Sequence, residues 1–274
     1  MKEKKTTTKK KSVKQGNKSP WWKFAFKILG MLIWAAASTI VSQLIIGRLM
    51  ILFMGLENFS QPIPTAIYSA LTYALTIFMV IFIPPILISI RKNKKGEKDT
   101  AIDKEAAREE LGLKGLPTWT DIGLAPVGFI VYILIASGLT ALFNLLPWFN
   151  PSEVQDVGFS LHVNGIDRLI AFVVLVVVAP VAEEIIFRGW LYGKLRNTIL
   201  EKYSNTASII VSTLLVSLVF GIVHLQWNVG INVFAMSIVL CVLREITGTI
   251  YSGILLHIIK NGVAFYLLYV IGIR

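Results

Sequence analysis

Two adjacent glutamates, Glu183 and Glu184, lie near the end of an apolar run, and Arg188 follows four residues after the second. A charge at membrane depth costs on the order of 2.5 to 3.5 kcal/mol, so these carboxylates need compensation. Glu184 and Arg188 have the helical spacing and the orientation of an ion pair. Glu183 points about 100° away on the helix, so it lacks that partner. A carboxylate held in apolar surroundings can serve as a general base.

The glutamates also have a structural interpretation, in which they mark the membrane interface and simply cap a span. For a single glutamate near a span end this would be the favoured interpretation. Two in a row after Pro180 weaken it. Proline removes a helical hydrogen bond and kinks a segment, which is common where a helix lines a cavity.

Two histidines lie in apolar runs. Phe220 precedes His224 by one turn, but alone this is a weak signal, because a histidine beside Trp227 is commonly a membrane-boundary residue. His257 and Asn261 share one helix face inside the last apolar run. The alternative to a catalytic role is that the two side chains form interhelical hydrogen bonds that hold the bundle together.

Together, Glu183, His224, His257 and Asn261 form a hydrolytic constellation: a base to activate water, histidines to relay protons and an amide to donate to an oxyanion. The sequence does not fix a cofactor. Zinc is the alternative, with Glu183, His224 and His257 as its ligands, since two histidines and a carboxylate match catalytic zinc sites in type. The chain has no HExxH helix, so such a site would join distant spans.

The elements that must position these residues are membrane helices. The 274 residues are 55% hydrophobic and 16% charged, with a mean hydropathy of +0.68, which is too apolar for an ordinary soluble domain. No stretch alternates as a membrane β-barrel would. We therefore predict an all-α polytopic membrane helical bundle of about seven spans, within a range of six to eight. The predicted spans are 24–47, 64–90, 122–146, 169–188, 207–224, 229–243 and 250–272, with the sixth the weakest.

The net charge of +11 is concentrated at the N-terminus, where residues 1–27 hold ten lysines and one glutamate. A lysine-rich tail before an apolar run is typical of the cytoplasmic side of a membrane, beside anionic lipid headgroups. No reader domain for nucleic acid appears, so nucleic acid is not an expected partner. The basic segment is too long for a signal peptide. The single cysteine, Cys241, excludes a disulfide framework.

We divide the chain into a basic cytoplasmic tail (1–23), accessory transmembrane helices with a cytoplasmic connector (24–146) and a catalytic transmembrane core (165–274). If the fourth span ended at Arg188 and the fifth crossed fully, Glu183 and His224 would lie about 25 Å apart. A longer fourth helix, continuing through Leu191 and Leu195, would bring Glu183 to the midplane, together with a tilted or shifted fifth helix.

The three motifs, in this order, resemble those of the CAAX protease and bacteriocin-processing family (CPBP, or Abi) of intramembrane endopeptidases. The family pattern is EExxxR, then FxxxH, then HxxxN or HxxxD. Here it corresponds to Glu183-Glu184 with Arg188, Phe220 with His224, and His257 with Asn261. The resemblance covers roughly residues 165–274, and the EExxxRG block is its most specific part.

The resemblance implies a type II CAAX prenyl endopeptidase-like enzyme that cleaves a membrane-associated peptide or membrane protein. Glu183 would activate water with His224, while His257 and Asn261 would stabilise the oxyanion. Glu184 and Arg188 would hold the site together, and Phe220 would support it. We favour a glutamate-dependent mechanism over a metal-assisted one.

Partners and location follow from the same resemblance. The expected partners are the lipid bilayer and the substrate, in a bacterial plasma membrane with the N-terminus in the cytoplasm, and the sequence carries no signal for an oligomeric state. The alternative function is a non-catalytic bacteriocin self-immunity or membrane scaffold protein of the same fold. A transporter is disfavoured because neither inverted repeats nor paired broken helices are found.

Overall fold

The computed structural model describes residues 20–58, 61–94, 104–153, 159–160 and 165–272. These residues form eight helices and no strand, which confirms the predicted all-α fold. Most of the predicted basic tail lies outside the described residues. The helices are α1 (Trp21–Met54), α2 (Pro62–Lys94), α3 (Lys104–Glu110), α4 (Trp119–Phe143), α5 (Gly165–Leu200), α6 (Asn205–Ile222), α7 (Trp227–Thr247) and α8 (Tyr251–Ile271).

Seven of these described helices, all except α3, are long and apolar enough to cross a membrane. The predicted number of spans is therefore confirmed, and the chain is a multi-pass membrane protein. Exposed tryptophans lie at both ends of the bundle, where membrane proteins place aromatic belts. They are Trp21, Trp22 and Trp119 at one end and Trp148 and Trp227 at the other.

Helix α5 differs from its predicted bounds. It runs from Gly165 to Leu200 instead of 169–188, so Glu183 lies near the middle of its length. This agrees with the longer fourth helix expected from the site. The helix is not uniform, because it widens to π-helical turns at Val173–Val178 and again at Glu184–Tyr192. Such turns are rare and occur frequently at functional sites.

Helix α7, the weakest span by sequence, is the most enclosed of the seven described spans. Half of its most apolar window is buried inside the protein. Its polar residues therefore meet protein groups, as when the Tyr132 hydroxyl of α4 donates to the Asn232 amide oxygen at 2.6 Å. The helix is also longer than the predicted 229–243, and the mean hydropathy of its most apolar window, 1.9, equals that of α1 and α6.

Contacts between the helix ends show which ends lie together. The starts of α1, α4, α6 and α8 meet the ends of α5 and α7, and the connector containing α3 packs there too. We call this the basic end. Its contacts include Lys27 with Glu201 at 3.4 Å, Lys194 with Glu110 at 2.6 Å and the Thr249 hydroxyl with Asp121 at 2.7 Å. At the opposite end, the rings of Trp148 and Trp227 are 5.3 Å apart.

The end of α6 is held against the start of α7 by two facing glycines. A Cβ atom on Gly221 would lie 2.9 Å from the carbonyl oxygen of Gly230, and a Cβ on Gly230 would lie equally close to the oxygen of Gly221. Small residues allow this close backbone approach in membrane bundles. This contact holds the chain in place at Gly221, which lies three residues before His224.

We expect Gly221→Ala to destabilise the protein by about 1 to 3 kcal/mol, because the added methyl group must push α6 and α7 apart. The matched control is Gly138→Ala in α4, where a Cβ meets no atom within 4 Å. Thermal unfolding in detergent micelles should show a lower midpoint for the first variant only. Equal midpoints for the two variants would contradict the close contact.

Candidate active site

A cavity of about 430 Å³ lies between α1, α2 and the helices of the predicted core. Glu183, Phe220, His224, His257 and Asn261 all line it. The structure thus brings the four predicted catalytic residues to one space, while their catalytic roles stay predictions. The facing wall is polar and comes from the accessory helices, through Thr39, Gln43, Tyr68, Ser69, Thr72 and Tyr73.

Behind the cavity lies a buried ionic cluster around Glu184. The Arg188 guanidinium donates from Nη1 to Glu184 Oε1 at 3.0 Å, and Nδ1 of His257 lies 3.0 Å from the same oxygen. None of the three side chains is more than 4% exposed. A buried charge needs a counter-charge, and Glu184 and Arg188 supply it to each other. Among the described residues, Glu184 Oε2 and the Nε and Nη2 atoms of Arg188 are buried without a hydrogen-bond partner.

Gly253 makes room for this cluster. It lies one turn before His257 in α8, and a Cβ at this position would be 3.1 Å from Glu184 Oε2. A larger residue would therefore press on the carboxylate. Sequence reasoning missed Gly253, because a glycine inside an apolar span shows no sign of what packs against it.

Glu183 faces the cavity with two different contacts. The Tyr73 hydroxyl of α2 donates to Oε1 at 2.7 Å, and Oε2 lies 3.7 Å from Nε2 of His257. Its side chain is 17% exposed, whereas Glu184 is fully buried. Of these two neighbouring carboxylates, that of Glu183 is thus partly exposed to the cavity and that of Glu184 is enclosed in protein.

Phe220 joins the cluster to the cavity. The Arg188 guanidinium carbon lies 4.3 Å from the centre of its ring, a cation–π arrangement. The imidazole rings of His224 and His257 lie edge to face with it, at centroid distances of 5.0 and 6.1 Å. The phenyl ring therefore packs against both histidines.

His224 follows the last turn of α6. Its Nδ1 lies 2.7 Å from the Phe220 carbonyl oxygen, so Nδ1 carries the hydrogen and Nε2 is left as the acceptor. Burial lowers the pKa of the His224 imidazole below its usual value, and the Glu183 carboxylate opposes this shift. A neutral imidazole with an unprotonated Nε2 can accept a proton.

Asn261 is oriented by the irregular backbone of α5. In the π-helical turn, the N–H of Ala179 bonds to the Val174 carbonyl, one residue earlier than in an α-helix. The corresponding donor for the Leu175 carbonyl would be Pro180, which has no N–H. Asn261 Nδ2 donates to that carbonyl at 2.8 Å and satisfies it. The amide keeps a second N–H.

The predicted zinc ligands Glu183, His224 and His257 share the cavity. However, within the part of the chain that the structure describes, no three His, Cys, Asp or Glu side chains are grouped to hold one metal ion. The arrangement does not fit a bound zinc, and zinc stays an untested prediction.

Sequence reasoning also missed Tyr73 and gave no role to Lys260. Tyr73 is one of several hydroxyl-bearing residues in α2, and only the packing of α2 on α5 shows that it reaches Glu183. Lys260 lines the cavity and lies between His257 and Asn261 in the sequence. A lysine inside an apolar run was a signal that could have been used.

The fold and the site together define a multi-pass helical membrane protein with a carboxylate–histidine site inside the bundle. Residues 165–263 match the type II CAAX prenyl endopeptidase Rce1-like family. This match confirms the family resemblance over the segment that carries all three motifs, and at the level of the family it supports a protease. Neither a curated protein nor a solved structure matches the chain.

We expect Tyr73→Phe to lower kcat by about tenfold or more, because a hydrogen bond to a charged group contributes about 1.5 to 3 kcal/mol. The matched control is Tyr132→Phe, which loses an interhelical hydroxyl contact of the same kind away from the cavity. Both variants should unfold at similar temperatures. Equal kcat values in a peptide-cleavage assay would show that Tyr73 does not position Glu183.

We expect Arg188→Met to destabilise the protein by about 3 to 5 kcal/mol, because it leaves Glu184 buried without its cation. Arg48→Met, at an exposed position of α1, should change little. The double variant Glu184→Leu with Arg188→Met should recover part of the loss, since no unpaired charge remains. Denaturation in detergent measures all three, and a double variant less stable than Arg188→Met would contradict this account.

Proposed function

We propose that the protein is an intramembrane endopeptidase, which hydrolyses a peptide bond of a membrane-associated peptide or protein by means of a water molecule activated by Glu183. The observation that carries this proposal is the placement of the Glu183 carboxylate. It faces a cavity, with Tyr73 on one oxygen and His257 near the other. The family match supports proteolysis in general, and the residue roles are our proposal.

In the proposed first step, Glu183 takes a proton from water while the water oxygen attacks the carbonyl carbon of the scissile bond. The carbonyl oxygen becomes an oxyanion. When the carbon–nitrogen bond breaks, the protonated Glu183 returns the proton to the leaving amine. His224, with its acceptor Nε2, lines the same cavity and would relay protons there.

The oxyanion would be stabilised by His257 and Asn261, one turn apart on α8. Nδ1 of His257 faces Glu184, so Nε2 is the nitrogen left to donate a hydrogen to the oxyanion. Asn261 contributes its second N–H, since the first is used on Leu175. Glu184 and Arg188 touch no substrate and position His257.

We also propose that the protein lies in a plasma membrane with its basic end in the cytoplasm. The described lysines and arginines support this, because most of them lie at that end, whereas Arg48 and Arg168 lie toward the other. The positive-inside rule places such an end in the cytoplasm.

We expect Glu183→Gln to reduce cleavage by about 10²- to 10⁴-fold, the usual contribution of a general base. Glu201→Gln, an exposed surface glutamate paired with Lys27, is the matched control. The new peptide termini in membranes from cells with the original chain or either variant should be compared by mass spectrometry at equal expression. Termini missing only with Glu183→Gln identify the substrate.

Two outcomes of this comparison would contradict the proposal. Identical termini with and without Glu183→Gln would mean that the carboxylate is not needed for cleavage. A chain that keeps a protective effect against a bacteriocin after both Glu183→Gln and His224→Ala would instead be a non-catalytic immunity or scaffold protein.

A further inference from the structure

We infer that the catalytic cavity opens at the end of the bundle opposite the basic end, so that the enzyme takes peptide segments presented on the extracytoplasmic side of the membrane. The substrate consequence rests on the proposed function. The direction of opening rests on the geometry of the cavity and on the distribution of positive charges between the two ends of the bundle.

The cavity begins near the middle of the bundle, where Glu183 and His257 line it, and extends from there toward one end. Helix α1 contributes residues from its second half, such as Gln43, and α2 contributes residues 68–76 from its first half. Helix α6 contributes its final turn and His224, and α8 contributes residues from His257 onward. Because neighbouring spans run in opposite directions, these segments all belong to the half of the bundle where α2 begins and α6 ends.

The basic end of the bundle is closed below the site. Arg188 and the next four residues of α5 are all buried. The connector covers them, since a Cβ on Gly189 would lie 3.0 Å from the Leu111 carbonyl oxygen and one on Gly193 would lie 3.1 Å from that of Glu110. Arg244 fixes the connector further by donating to the Glu110 carbonyl at 3.0 Å. This packing leaves the opposite end as the route to Glu183.

The positively charged residues then indicate which side of the membrane each end of the bundle faces. Lys194, Arg196 and Arg244 lie at the basic end, where α1 also begins. In the sequence, α1 follows directly on a lysine-rich segment. Positive residues in short loops are retained in the cytoplasm. A cavity that opens at the other end therefore faces away from the cytoplasm. A cytoplasmic tail would have no direct route to Glu183, whereas a secreted peptide or an outward-facing loop would.

The test is thiol labelling of the full chain in intact cells, which does not depend on catalysis. The background is Cys241→Ala, because Cys241 is the only cysteine and is fully buried. Ser69→Cys places a thiol in the cavity, and Leu71→Cys places one at the same depth on the exposed face of α2. Leu225→Cys marks the loop between α6 and α7, and Lys114→Cys marks the connector after α3. Both side chains are exposed.

With a membrane-impermeant maleimide, we expect Ser69→Cys and Leu225→Cys to be labelled in intact cells. Lys114→Cys should be labelled only after permeabilisation, and Leu71→Cys should stay unlabelled because it faces lipid. Labelling of Lys114→Cys in intact cells would overturn the orientation. If Ser69→Cys required permeabilisation, or were not labelled at all while Leu225→Cys was, the outward opening would be overturned.

These results are separable from the proposed function. An outward-facing cavity combined with unchanged cleavage in the Glu183→Gln variant would disprove the proposed base but not the opening. Loss of cleavage in that variant, combined with labelling of the cavity only from the cytoplasm, would support the proposed base and disprove the outward opening.

Discussion

The carboxylate of Glu184 is fully enclosed in protein, and one of its oxygens is held by both the Arg188 guanidinium and the His257 imidazole. An ion pair in a low-dielectric interior recovers the cost of its desolvation only when its geometry is good. The surrounding structure is arranged to supply that geometry. Gly253 lets α8 approach the carboxylate, and Phe220 covers the guanidinium. The buried cluster thus fixes α5, α6 and α8 relative to one another.

The same constraint explains why two adjacent glutamates have different surroundings. Glu184 uses the strong cation, so its neighbour, Glu183, is held by the weaker contacts of a tyrosine hydroxyl and a more distant imidazole. A carboxylate held in this way keeps lone pairs for a water molecule. The wide turns that begin at Glu184 place both side chains in this arrangement, in agreement with the frequent occurrence of π-helical turns at functional sites.

Much of the fold and part of the site were predictable from the sequence. The number of spans follows from apolar run lengths, and the Glu184–Arg188 pair follows from helical spacing. Apolar run length alone ended α5 too early at Arg188, whose charge is neutralised inside the bundle. The longer helix through Leu195 was expected only because Glu183 and His224 had to come together. The role of Pro180 was only partly seen, since the effect of its missing N–H on the Leu175 carbonyl depends on the register of a π-helical turn. Tyr73 could not be found, because its contact joins two spans 110 residues apart in sequence.

The family match and the cavity do not cover the same part of the chain. The match spans residues 165–263, which hold all the proposed catalytic groups. The Tyr73 hydroxyl and the polar wall beside it come from α1 and α2, outside that segment. Under the proposed function, the chemistry belongs to the matched helices, while much of the surface that a substrate would meet belongs to the accessory ones. Since function resides in sites and not in folds, the proposed peptidase would select its peptide through the polar wall of α1 and α2.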